Sequence, residues 1–126
     1  MNTFSATSTR ISTTLAVLVT AFLSFDFISH LARESHVVAA NEKFGAPEWF
    51  PVLCGAILGT LVVCYWIPAA RAMATVLITA YLGGAIAVNL ITEQPAFNSF
   101  FAILTAVLVW AGAWTRDARL RALIGR

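Results

Sequence analysis

The chain has 126 residues and a mass of 13.6 kDa; 60% of its residues are hydrophobic and only 11% are charged. Soluble domains run at roughly 45–50% apolar, and small domains bury the smallest fraction of their surface. This apolar load therefore excludes a soluble, disordered or disulfide-stapled secreted chain. A net charge of +2 is too small to imply a nucleic-acid or other polyanionic partner. What remains is an integral membrane protein, with a mean hydropathy of +0.82 and a lipid bilayer for solvent.

A bilayer-crossing helix needs about 20 mostly apolar residues, and four such stretches follow one another. The first, Ile11 to Ala32, carries one acidic residue, Asp26. The second and third, Trp49 to Ala70 and Ala72 to Thr92, are uncharged, and Gln94 to Thr115 is the fourth. Short connectors bear their own punctuation. Pro47 and Pro51 stand where a helix tolerates proline. Pro68 and Arg71 mark a tight return, and Pro95 opens the last span. Between the first two spans, residues 35–44 place Val37, Ala40 and Phe44 at helical spacing opposite Glu42 and Lys43, with Gly45 as a stop. Two readings fit this segment: a short amphipathic helix at the membrane surface, or an ordered polar loop. The expected architecture is all-α, a single domain over residues 1–126 forming an antiparallel four-helix membrane bundle.

Orientation follows from basic residues. Arg10, Arg71, Arg116, Arg119, Arg121 and Arg126 fall on one side, and only Arg33 and Lys43 on the other. This places both termini in the cytoplasm, in a plasma (inner) membrane. Trp49 and Phe50 then mark the outer interface, and Tyr65, Trp66 and Trp114 the inner one. The first span reads as uncleaved, because Asp26, Arg33 and Glu34 would make an overlong tail before a signal-peptide cut at Val38-Ala39-Ala40.

Lipid offers helices no hydrophobic drive to associate, so small residues that allow close backbone approach are the packing candidates. Gly55 and Gly59 of the second span, and Ala80 with Gly84 and Gly83 with Ala87 of the third, have that spacing. Cys54 and Cys64 lie ten residues apart, about 15 Å along a helix. They are beyond mutual disulfide reach and are read as packing residues.

Ionisable groups inside a span are costly and call for a reason. Asp26 and His30 stand four apart on one helix face, and Asn89 lies late in the third span on the same outer level, with Cys54 and Asn98. Two readings stay open. One is an outward polar pocket able to hold a quinone headgroup, a proton or a small polar ligand; the other is a pair that serves only to tolerate burial. No metal-binding spacing and no nucleophile beside a base occurs, so no catalytic residue, metal or resident cofactor is assigned, a quinone being the one cofactor the pocket reading admits.

Four local stretches are similar to the DoxX-like family of small bacterial membrane proteins. The first runs from Phe25-Asp26 through His30-Leu31 and Val37-Val38 to the Phe44-Gly45-Ala46-Pro47 turn. The second is Gly55 through Tyr65 to Pro68 and Arg71. The third is Thr79-Ala80-Tyr81-Leu82-Gly83-Gly84-Ala85. The last joins Val109-Trp110 to Arg116-Asp117-Ala118-Arg119-Leu120-Arg121-Ala122-Leu123. The resemblance covers about Phe22 to Ile124 and implies a four-helix membrane fold. Some relatives are subunits of a thiosulfate:quinone oxidoreductase, and others are linked to oxidative-stress complexes. Relatives often have glutamate at Leu58, histidine at Asn89 and lysine at His30, so the chain departs from the family at polar positions. The expected role is a non-enzymatic subunit or accessory protein of a membrane complex, with a membrane-protein partner or a second copy of itself. The alternative is a quinone-linked redox or proton-handling component.

Overall fold

The computed structural model describes residues 3–124, with side chains described from residue 7; Arg126, counted above with the basic side, lies outside the described residues. Six helices follow one another: α1 (Thr3–Leu31), α2 (Ser35–Phe44), α3 (Phe50–Trp66), α4 (Arg71–Ile91), α5 (Ala96–Arg116) and α6 (Ala118–Ile124). The described residues contain no strand. Three stretches, Thr7–Leu31 within α1 and all of α4 and α5, are long and apolar enough to cross a membrane.

The second apolar stretch yields a shorter helix than its composition suggests. α3 stops at Trp66, because Ile67 precedes Pro68 and is extended, with φ −85° and ψ 117°. The proline ring disfavours helical geometry in the residue before it. The segment then turns, with the Ala70 N–H donating to the Ile67 carbonyl over 3.0 Å. At 17 residues, α3 is about 25 Å long, slightly less than a hydrocarbon core of about 30 Å.

Segment 35–44 is a helix. The Glu34 carboxylate caps its start by accepting from the His36 N–H at 3.0 Å, from Ser35 Oγ at 2.9 Å and from His36 Nδ1 at 2.8 Å. Gly45 ends it in the left-handed region at φ 80°. Arg33 and Glu93 adopt the same region, at φ 52° and 53°, just past the ends of α1 and α4. Behind each, an N–H reaches back five residues, from Glu34 to Ser29 and from Gln94 to Asn89. This closes the carbonyls that a helix end leaves open.

α1 packs on α3 and α5, and α4 packs on the same two helices, while α2 rests on α3 and α4 and α6 on α5. The interior holds Val19, Leu23, Leu58, Val62, Tyr65, Ile78, Leu82 and Val109. The outward faces are apolar as well: Val17, Phe25, Val63, Met73, Phe100 and Val107 are all exposed. An apolar exterior around an apolar interior suits lipid rather than water.

Threonine hydroxyls within the helices are satisfied locally. The hydroxyls of Thr20, Thr60, Thr75, Thr79, Thr92 and Thr105 each donate to the carbonyl four residues back, over 2.7–2.8 Å. Two of these oxygens also accept an indole N–H from a neighbouring helix. Trp66 of α3 reaches Thr20 of α1 at 2.8 Å, and Trp110 of α5 reaches Thr79 of α4 at 2.7 Å. Tyr65, wholly buried, donates to the Val109 carbonyl at 2.8 Å.

At the end of the helices that carries Trp66, Arg71 and Arg116, charge does structural work. Buried Arg71 donates to the carbonyls of Tyr65, Trp66 and Arg116, clasping the ends of α3 and α5 together. Asp117, 4% exposed, opens α6 by accepting from the N–H groups of Arg119 and Leu120. Burial alone would raise its carboxyl; the Arg119 side chain and those backbone N–H groups outweigh burial and hold it below the usual carboxylate range. Arg119 ties Asp117 to the Pro68 carbonyl in the turn before α4.

Candidate functional site

The last two turns of α1 bring Asp26 and His30 together. His30 Nδ1 lies 2.9 Å from the Asp26 carboxylate oxygen Oδ1 and 2.9 Å from the Asp26 backbone carbonyl. Both are acceptors, so Nδ1 carries the proton. That leaves Nε2, which has no partner among the described residues, as the ring atom that takes up or gives back a proton. Both side chains are about a quarter exposed, 26% for His30 and 28% for Asp26.

Two further groups from other helices belong to the same neighbourhood. The Cys54 thiol of α3 and the Tyr81 hydroxyl of α4 lie within electrostatic range of the Asp26 carboxylate and of each other. Neither Cys54 nor Tyr81 makes a side-chain hydrogen bond within the described residues. The approach of α3 to α1 rests on Gly55. A Cβ there would stand 2.9 Å from the Phe27 carbonyl oxygen and from Leu31 Cγ, and 3.0 Å from the Leu31 nitrogen. Backbone therefore meets backbone one residue from Cys54, across from the turn that carries Asp26 and His30. A Cβ on Gly59, one turn on, would stand 3.4 Å from the nearest atom of the Phe27 ring.

Asn89 belongs to α4 as well. It lies eight residues beyond Tyr81 on α4, about 12 Å along the axis, and is half-buried. Its side chain makes no hydrogen bond among the described residues; its carbonyl accepts from the Gln94 N–H at 2.8 Å. Cys54 was expected at this level, whereas Tyr81 was not singled out for it. Only the packing of α4 beside α3 brings the tyrosine in, and no spacing within α4 signals it. Among the described residues no three histidine, cysteine or acidic side chains gather closely enough to hold a metal ion.

The small residues of α4 have a different setting from those of α3. Ala80, Gly83, Gly84 and Ala87 are exposed, and a Cβ added at Gly83 or Gly84 would meet nothing within 4 Å. Beside them runs an open groove of about 430 Å³ between α4 and α5. Leu82, Gly83 and Ile86 line one side and Ile103, Ala106 and Val107 the other, with Thr79 and Trp110 at one end. A second depression, of about 650 Å³, lies between Arg33, Glu48 and the start of α3. Asp26 and His30 line neither.

Long apolar helices turned outward, with a carboxylate–imidazole pair held between them, define a small helical protein of the membrane type. Its sequence matches a known family over residues 14–112, and the chain belongs to the DoxX-like family. The matched region includes Asp26, His30, Cys54, Tyr81 and Asn89 and ends at Gly112, before the arginine-rich stretch that opens at Arg116. Comparison with curated proteins and with solved structures gave no significant match.

Proposed function

We propose that this protein is a non-enzymatic subunit of a membrane complex, in a bacterial inner membrane, with all four long helices crossing the bilayer and both termini in the cytoplasm. Trp49 and Ile67, flanking α3, extend its apolar length toward what a crossing needs, and local bilayer thinning accommodates the rest. The observation that carries the proposal is the open groove over Gly83 and Ala106 beside the exposed Ala80–Ala87 face. Small residues at four-residue spacing let a second helix approach closely, and in lipid such van der Waals fit is what holds helices together. The face accepts a helix from another chain or from a second copy.

The test is purification in mild detergent of the wild type beside Gly83→Leu and Gly84→Leu. Either leucine projects from an uncrowded position, so helix content and melting should persist while the partner is lost. A wild-type chain that always elutes alone as a monomer contradicts the proposal.

A second reading rests on the His30–Asp26 pair with Cys54 and Tyr81 beside it: proton handling, with Nε2 of His30 as the exchanging atom and a quinone as the natural redox companion. Asp26→Asn and His30→Gln should then each abolish quinone binding or proton-linked activity in intact, folded protein. Full retention in both variants removes this reading.

A further inference from the structure

Four arginines cluster at the end of the helices where α3 meets α4 and α5 meets α6. Three of them are committed. Arg71 donates to three carbonyls, Arg119 to Asp117 and Pro68, and Arg121 to the Trp114 carbonyl at 2.6 Å. Arg116 differs. Its guanidinium carbon sits 4.5 Å from the centre of the Trp66 ring, and its side chain donates no hydrogen bond to any described residue. One of its terminal nitrogens, Nη1, is buried without a partner. Arg71 lies near enough to repel it and cannot withdraw, because it clasps the ends of α3 and α5. The acid next in sequence, Asp117, is taken up by Arg119 and the start of α6.

The indole face partly compensates the buried nitrogen. The remaining donors have no acceptor among the described residues. A guanidinium fork suits two oxygens of one phosphate, and an anion there would also relieve the repulsion between Arg116 and Arg71. Trp66 and Trp114 at the same level are side chains that favour the headgroup layer.

We propose that Arg116, fixed over Trp66 and backed by Arg71, forms a binding site for a phosphate group, supplied by an anionic phospholipid headgroup or by a soluble phosphate. The inference assumes that the long helices cross the bilayer; it does not depend on the partner face of α4. Its test, run on the isolated chain, can fail while that proposal stands, and the reverse.

The experiment is native mass spectrometry and thermal melting of the full chain in detergent, with phosphatidylglycerol, phosphatidylcholine or inorganic phosphate added. The wild type should retain phosphatidylglycerol well above phosphatidylcholine. Arg116→Gln should lower that retention about tenfold, the loss expected for a charge-assisted hydrogen bond. Arg116→Lys, which keeps the charge and loses the fork, should fall between. Arg121→Gln, at an arginine already bound to a carbonyl, should stay close to wild type. Stabilisation by inorganic phosphate alone, abolished in Arg116→Gln, identifies a soluble source; stabilisation by the lipid only identifies the headgroup. Equal retention by wild type and Arg116→Gln, or no stabilisation by either probe, overturns the site.

Discussion

Glu34 has the most sharply defined titration outside the helices read as membrane-crossing. Hydrogen bonds from His36, then from Ser35, hold its carboxyl at about 2 against an ordinary 4.5. A carboxyl lowered by folding contributes its cap fully above the ordinary value and loses it as pH falls through about 2. The amide proton of His36, which this carboxylate accepts, should therefore report a midpoint near 2 by NMR in micelles; a midpoint near 4.5 would show the cap unformed. The buried contact between Tyr65 and α5 is tested by a pair of substitutions. A Cβ on Gly112 would lie 2.5 Å from the Tyr65 hydroxyl oxygen, so Gly112→Ala should destabilise by about 1–3 kcal/mol. Tyr65→Phe alone costs about 1 kcal/mol through the lost Val109 bond, yet in combination it removes the clashing atom. Melting of the double variant should lie above that of Gly112→Ala; simple addition of the two losses would contradict the contact.

Helix ends show where local chemistry suffices and where it does not. The short helix α2 is bounded by local chemistry, a capping acid at its start and a left-handed glycine at its end. The ends of α1 and α4 use the same left-handed device with Arg33 and Glu93, residues that give no such hint. L-residues pay about 1–2 kcal/mol for this conformation, so Glu93→Gly should raise stability by about 1 kcal/mol, read as a higher melting temperature; a lower one would mean that Glu93 has a compensating contact. α3 is shorter than its uncharged stretch because hydropathy measures what lipid tolerates, whereas Ile67 and Pro68 decide where a helix can continue. α6 escaped notice for a related reason. Its start depends on Asp117 being buried against Arg119, and in the sequence those residues read only as a basic tail. The Asp26–His30 pair was legible because four residues make one helical turn. Its neighbours Cys54 and Tyr81 come from two other helices, and only tertiary packing joins them to it.

At the scale of the whole molecule, the distribution of apolar side chains carries the account: they line the interior and cover the long helices outside as well. Such a surface is stable in lipid and would associate or precipitate in water. If the four long helices all cross with both termini in the cytoplasm, as proposed, α2 is left on the face opposite α6, with the proposed phosphate site at the cytoplasmic level and the Asp26–His30 pair near the outer one. Labelling of intact cells with a membrane-impermeant maleimide tests this most directly, in a background with Cys54 and Cys64 replaced by alanine and a single cysteine introduced at the exposed positions Ala39 or Leu123. Ala39→Cys should be labelled from outside and Leu123→Cys only after permeabilisation. Labelling of both from outside would mean that the chain crosses an even number of times between them, not the three of α3, α4 and α5, and labelling of Leu123→Cys alone would invert it.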